Sequence, residues 1–488
     1  MLLMVCFAGN LRADVHCPSI FSDHMVLQRD RPVSVWGTAD PGETITVAFG
    51  AGHARTSAGP DGAWRVALPA MPASAAPRTL MVTGENTLSF TDVLVGEVWL
   101  CSGQSNMEKP FGPRKGQKPT DHSDEEIAHA DHPLLRLYQV PPHGRPDPKQ
   151  PQPVLRWLPS SPPNLADSRF SAVAYIFGRE LQHELGIPVG VIHASFGGTQ
   201  IEAWMSADAF ALDPALSGLR TLHYAPWVDG VQATELFQSM LSPLVPYTLR
   251  GVIWYQGESN CMQADGAIYT AKMRALIASW RAAWHQPDAP FYYALIAPFD
   301  YSEWESFPKG LTPEELPVFW EAQIRALDVP HTGIVSTTDL AGSARDIHPT
   351  NKQDVGRRFA RLALADTYGR KDLVARSPRF EQFQRNAPGE LALHFTNAGS
   401  GLASRDGRPL TSFQIAGADR VFHPAHAEAA GERVIVASPD VPQPVAVRFG
   451  WDETANPNLV NPAGLPALPF RTDDWPVTTE RPKLPAKK

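Results

Sequence analysis

Four short polar blocks in this chain hold the residue types from which a nucleophile, a base and an oxyanion site are built: Gly103-Gln-Ser-Asn106, Ser195-Phe-Gly-Gly-Thr199, Gln256-Gly-Glu-Ser-Asn260 and Asp346-Ile-His348. A serine in a tight turn, such as Ser105, can present its hydroxyl as a nucleophile, although a serine in such a loop more often caps a helix. Paired glycines such as Gly197 and Gly198 let a backbone N–H approach a reacting oxygen, and they also serve as ordinary turns. The third block offers two amides, Gln256 and Asn260, and one carboxylate, Glu258; a network bracing its own loop is the plainer role. His348 has the side chain whose pKa suits proton transfer at neutral pH, and a nearby carboxylate such as Asp346 can orient it and stabilise its cation. No Cys or His cluster has metal-ligand spacing, so no metal and no organic cofactor is expected. His193 reads as a strand-end histidine, not a second base.

Stepping out from these blocks, the chain supplies a predicted strand before each of them. Continuous apolar runs at Glu97 to Cys101, Val189 to Ala194, Gly251 to Tyr255, Phe291 to Ile296 and Gly333 to Thr338 alternate with helical patterns. The helices are predicted at Ala172 to Leu185, Thr234 to Leu241, Ile268 to Trp284, Phe319 to Leu327 and Lys352 to Thr367. Such alternation predicts an α/β fold with a parallel sheet covered on both faces, whose strand ends share one crevice. Before it, residues 14–94 carry short β-rich runs broken by Asp40-Pro-Gly42 and Gly59-Pro-Asp-Gly62, the pattern of a small β-sandwich. After it, residues 371–488 return to short alternating runs, a C-terminal β-rich module and tail. The central unit is expected over residues 95–370.

At 488 residues the chain is long enough for two or three domains. Hydrophobic residues at 43% and charged residues at 19% fit a globular protein. A net charge of -8 supplies no basic field, which argues against nucleic acid and anionic membrane as partners. The 47 prolines, dense between Pro141 and Pro163, predict long surface connections. No apolar run reaches the roughly 20 residues of a membrane span. Residues 1–13, apolar from Leu2 to Ala8, read as the end of a secretory signal, and the expected location is secreted or periplasmic. Cys6 would leave with that segment. Cys101 and Cys261 then stand as either a disulfide or two buried thiols.

Taken together, the four blocks resemble the SGNH (GDSL-like) hydrolases and, within them, the sialate O-acetylesterase family of carbohydrate esterases. The resemblance rests on Gly103-Gln-Ser-Asn-Met107, Gly197-Gly-Thr-x-Ile-Glu-Ala-Trp204, Trp254-Tyr-Gln-Gly-Glu-Ser-Asn260 and Asp346-Ile-His-Pro349, and extends to the flanks Phe21 to Arg29 and Pro469 to Trp475. It implies a three-layer α/β/α core and hydrolysis of sugar acetates. Ser105 would be the nucleophile, His348 the base and Asp346 its orienter, with oxyanion donors from Ser105, Gly197 or Gly198, and Gln256. Two departures from the general pattern stand out. One residue separates Asp346 from His348 instead of two, which makes Asp339 a rival orienter, and Gln256 and Asn260 compete for the role of an asparagine. Gln104, Asn106, Glu258, Asn260, Trp204 and Tyr255 are candidates for contact with an acetylated carbohydrate, Glu258 more as a brace, while Trp254 is expected to pack in the core. Arg357 and Arg358 read as a solvated helix face. Alternatives are an esterase for acetylated plant polysaccharides such as xylan or xyloglucan, and a carbohydrate-binding protein without catalysis.

Overall fold

The computed structural model describes residues 14–114, 116–141, 155–167, 169–221, 231–303 and 310–477; the expected signal segment 1–13, with Cys6, lies outside them. Strands β1 (Val26–Gln28), β2 (Val33–Thr38), β3 (Thr44–Phe49), β4 (Gly52–Ser57), β5 (Ala63–Leu68) and β6 (Ser74–Thr83) lead into β7 (Thr87–Gly103). β2 and β5 form an antiparallel pair, and β3, β4 and β6 form a second antiparallel set that joins β7. Val35, Trp64 and Val66 from the first pair share a hydrophobic cluster with Ile45, Val47, Leu80 and Val82 from the second set. β7 crosses the boundary expected at residue 94. Its first half pairs antiparallel with β6 and its second half enters the central sheet.

That sheet continues with β8 (His132–Gln139), β9 (Leu158–Ser160), β10 (Val189–Ser195), β11 (Gly251–Tyr255), β12 (Phe291–Ala294) and β13 (Thr332–Val335). The spatial order is β13-β12-β11-β7-β10-β8-β9. All neighbours are parallel except β9, which runs antiparallel on the β8 edge. From β7 the chain builds one side through β8 and β10 and then crosses to the other with β11. The switch point, where a ligand crevice opens, therefore lies at the carboxyl end of β7.

The helices are α1 (Ser105–Glu108), α2 (Ser123–Ala128), α3 (Pro162–Asp167), α4 (Ala172–Leu185), α5 (Glu258–Cys261), α6 (Gly266–Ala283), α7 (Glu315–Arg325) and α8 (Gln353–Asp366). Side chains alternate across a strand, so Trp99 and Cys101 face one layer while Val98 and Leu100 face the other. The first layer holds Val173, Ile176, Phe177 and Leu181 of α4 with Val355, Phe359 and Leu362 of α8. The second holds Tyr269, Met273, Leu276 and Trp280 of α6 with Leu316, Phe319 and Trp320 of α7. Each such side chain contributes roughly 1.5–3 kcal/mol on burial. Local signals set the ends of α4: Ser171 Oγ accepts from the Ala174 N–H at 3.0 Å, and Gly186 closes it in a left-handed conformation at φ 64°. Cys101 and Cys261 fall in opposite layers and are both free thiols, which decides between the two alternatives for them.

Several elements differ from expectation. β8 and β9 were not anticipated; β8 pairs its residues Leu135 to Gln139 with β10 and widens the sheet. The helix expected at Thr234 to Leu241 is instead a π-helical turn at Phe237–Leu241 followed by a 3-10 turn at Ser242–Leu244, and Pro243 and Pro246 lack the donors that would continue it further. The strand expected to reach Thr338 stops at Val335, and Thr337 Oγ1 donates to Leu295 O. Beyond α8, two four-stranded antiparallel sheets share one apolar cluster that includes Leu393, Phe413, Val434 and Phe449. Arg471 docks them on α7 through two bonds to Glu321, at 3.2 and 3.1 Å.

Candidate active site

Strand register levels three of the four blocks. Gly103 at the end of β7 pairs with Ser195 of β10 on one side and Tyr255 of β11 on the other. The residues that follow, Ser105, the Gly197-Gly198 turn and Gln256, therefore leave the sheet together. Phe196 N–H donates to Gly103 O at 3.1 Å and Gln104 N–H to Tyr255 O at 3.0 Å, which folds the serine turn between its neighbours. Gly103 has φ 146°, and a Cβ there would sit 2.1 Å from Tyr255 O. Gly103→Ala is accordingly expected to push β7 from β11 and lower stability by roughly 1–3 kcal/mol, measured by denaturant titration.

Gly197 packs on the serine, since a Cβ on it would lie 3.2 Å from Ser105 Cβ. Its N–H, however, donates to Glu108 Oε2 at 2.9 Å, and the same oxygen accepts from Arg114 Nη2 at 2.7 Å. The N–H expected to meet an oxyanion is thus already engaged. Gly198, at φ 77°, and Ser105 keep backbone N–H groups without a partner among the described residues.

The amides of the third block point inward. Gln256 Nε2 donates to Thr199 O at 3.1 Å and to Asn260 Oδ1 at 2.8 Å, while its Oε1 accepts from Tyr269 OH at 2.7 Å. Asn260 Nδ2 donates to Glu202 Oε2 at 3.0 Å and Asp265 Oδ2 at 2.9 Å, and Asn260 Oδ1 also accepts from the Ile201 N–H. Both amides are spent holding the glycine turn against β11, so neither Gln256 nor Asn260 is a free oxyanion donor. Beneath them the buried Lys272 ammonium bonds Glu202 and Asp265. Nothing in the local sequence around Lys272 marks it; its place in helix α6 reads as one polar residue on an apolar face.

The histidine loop is tied to the serine turn through Asn106, whose Nδ2 donates to Ile347 O at 2.9 Å and to Glu258 Oε1. Asn106 Oδ1 accepts from Lys352 Nζ at 2.6 Å. Asp346 Oδ1 accepts from the backbone N–H of His348 at 3.0 Å, and Asp346 Oδ2 lies 3.6 Å from Lys118 Nζ. Among the described residues the His348 imidazole makes no hydrogen bond; such contacts often tighten only with substrate bound. Asp339, the rival orienter, is held by Arg358 through bonds of 2.7 and 2.6 Å and approaches Arg405 at 3.8 Å. That pairing also takes Arg358 off the solvated face on which it was expected, whereas Arg357 is half exposed.

Burial removes most of the expected sugar contacts. Trp204, Tyr255, Asn106 and Asn260 are fully buried. Trp204 Nε1 donates to Thr199 Oγ1, and its ring meets Trp254 edge-on at 5.9 Å. Gln104 and Glu258 are nearly as buried: Gln104 Oε1 accepts from the Gly257 and Ser259 N–H groups, and Glu258 braces Asn106. These six side chains build the wall behind the site. His193 stays in the sheet with Nε2 2.5 Å from Ser195 Oγ, its pKa pushed down to about 3 by burial and by Arg114.

Electrostatics favour a neutral base. Burial pushes the His348 pKa down to about 3, and Lys352, Lys109 and Arg114 push the same way. A base of this kind is active when unprotonated, so lowering its pKa extends activity to lower pH. Any turnover that uses His348 as base is expected to hold steady well below the ordinary imidazole value of about 6.5 and to fail only in more acidic buffer. A profile of kcat/KM against pH that breaks near 6.5 would contradict this.

Comparison with known proteins places the chain in a family. Residues 95–365 match the family model described as "Carbohydrate esterase, sialic acid-specific acetylesterase". The chain is 30% identical over 400 residues to human sialate O-acetylesterase, covering 75% of this chain and 73% of that protein. It is 28% identical over 436 residues to the rat enzyme, covering 76% and 77%. The crystal structure of a carbohydrate acetylesterase from Xanthomonas citri superposes with a TM-score of 0.81 at 37% identity, covering 94% of this chain and all of that one. The family match spans the serine turn, the glycine turn, the amide block and the histidine loop, and the chain belongs to the sialic acid-specific acetylesterase family of carbohydrate esterases.

Proposed function

We propose that the chain hydrolyses acetyl esters of sugars through Ser105, His348 and Asp346, by way of an acetyl-enzyme. Ser105 Oγ attacks the acetyl carbonyl while His348 takes its proton. The N–H groups of Ser105 and Gly198 receive the oxyanion. Collapse of the tetrahedral intermediate leaves acetyl-Ser105 and returns the proton to the departing sugar hydroxyl, and water activated by His348 then releases acetate. Asp346 holds the loop that carries the imidazole. The observation that carries this reading is the Asn106 to Ile347 bond, which fastens the residue after the nucleophile to the residue before the base across 241 positions of sequence. Incubation with a fluorophosphonate should stop acetate release from 4-nitrophenyl acetate and place one phosphonyl group on Ser105. Modification elsewhere, with activity lost, would refute the assignment.

The relatives named for sialate make an acetylated sialic acid the first substrate to try. A neutral acetylated oligosaccharide is favoured by one feature, the pairing of Arg114 with Glu108, which leaves the guanidinium at the Gly197 turn, against which Ser105 packs, already matched to a carboxylate. Comparing kcat/KM on acetylated sialic acid and on acetylated xylo-oligosaccharide separates the two. A clear preference for sialate would mean that Glu108 yields Arg114 to the sugar. The secreted or periplasmic location belongs to the same proposal and is checked by fractionating cells for the activity.

A further inference from the structure

Lys352 follows His348 by four residues, and its ammonium is fully buried. Nζ donates to Asn106 Oδ1 at 2.6 Å and stands 5.5 Å from the centre of the Tyr255 ring. Among the described residues it forms no ion pair within 4.0 Å. A buried ammonium without a carboxylate in contact is costly to keep, and such groups gather where their field is used. Through Asn106 the ammonium sits at a junction: the amide oxygen receives Lys352, and the amide nitrogen donates to Glu258 and to the Ile347 carbonyl in the histidine loop. An amide whose oxygen is bound to a cation is a better donor through its nitrogen.

We propose that Lys352 is a positioning residue for the acyl transfer: through its hydrogen bond to Asn106 it fastens the serine turn to the histidine loop. The inference rests on the reading of Ser105 and His348 as nucleophile and base. The charged groups bearing on His348 come from three places: Lys352 before α8, Lys109 and Arg114 in the segment after α1, and Asp346 on its own loop. Around Lys352 stand Lys109, Glu258, Asp346 and Asp121, and burial leaves its pKa at about 7. It is therefore still a cation in the acidic range where His348 takes up its proton, and a neighbouring cation opposes that uptake.

Two variants separate the pin from the charge. Lys352→Met removes both, and Lys352→Gln keeps a donor for Asn106 while removing the charge. With 4-nitrophenyl acetate, Lys352→Met should lower kcat at least about 10-fold with KM changed less than about 3-fold, the signature of a lost transition-state interaction. In both variants the acidic limb of kcat/KM should move to higher pH by about one unit, and Lys352→Gln should retain more of kcat. Lys352→Met leaves the buried Asn106 Oδ1 without its donor and should lower the denaturant midpoint, while Lys352→Gln, which keeps a donor, should hold it closer to the unaltered chain. A merely structural lysine would leave the acidic limb in place in both variants, and that result overturns the proposal, as does loss of folding in both variants. If Ser105→Ala is inactive while Lys352→Met keeps the wild-type kcat and acidic limb, this inference alone fails. If Ser105→Ala stays active, the triad reading fails and takes the inference with it.

Discussion

Ser105→Ala is expected to lower kcat for acetate release by on the order of 10⁴ to 10⁶-fold while leaving the protein folded. The hydroxyl is the only part of Ser105 that reacts, and it makes no hydrogen bond among the described residues that the fold would lose. The backbone N–H groups of Ser105 and Gly198 survive the substitution and sustain a trace of activity. His348→Ala should cost a similar amount, and the double variant little more, because nucleophile and base act as a unit. Asp346→Asn should cost several orders of magnitude if the carboxylate turns to the His348 imidazole once substrate binds, and little if it only anchors the loop, because an amide oxygen still accepts from the His348 backbone N–H. Asp339→Asn should act on stability instead, by loosening the bidentate hold on Arg358. Equal acetate release by Ser105→Ala and the unaltered chain would end the assignment.

The second large effect is on stability. Lys272→Met should destabilise the chain by roughly 3–5 kcal/mol, because removing one member of a buried ionic set leaves the others uncompensated. Lys272 is fully buried between Glu202 and Asp265, and both carboxylates also receive Asn260 Nδ2. Losing the lysine removes the cation that both carboxylates share. The damage should reach the site, since Asn260 and Gln256 together hold Thr199 and Ile201, the residues that follow the glycine turn. Adding Glu202→Gln and Asp265→Asn to the same chain should recover part of the loss by removing the unbalanced charge. An unchanged denaturant midpoint for Lys272→Met alone would show that the network does not anchor the turn.

Much of this architecture is legible in the order of residues. The apolar runs at Val189 and Gly251 and the 14-residue α4 follow from periodicity and capping, which are properties of neighbours in sequence. The four polar blocks at strand ends follow in the same way, as does the sense that a parallel sheet would gather them. β8 is not legible in the same way, because its run includes Pro133 and Arg136 and it becomes a strand by pairing with β10 more than 50 positions later.

The sequence by itself thus determined which residues meet at the crevice: Ser105, the paired glycines, the amide block and the Asp346 to His348 loop. Only the tertiary structure decided what each one does there. Gln256 and Asn260 carry the same amide in any chain, yet here their hydrogen bonds go to Thr199, Ile201, Glu202 and Asp265, so they hold the glycine turn instead of facing a substrate. Gly197 is the right residue for a close approach, but its N–H is taken by Glu108. Asp339 and Asp346 were rivals on spacing; Asp339 is held by Arg358, and Asp346 accepts from the His348 backbone N–H. Lys352 and Lys272, which matter to the site through Asn106 and Asn260, carry no local signal at all. The physical reason is common to these cases: the role of a polar side chain depends on which partner takes its hydrogen bonds and how much water remains, and both depend on residues distant in sequence.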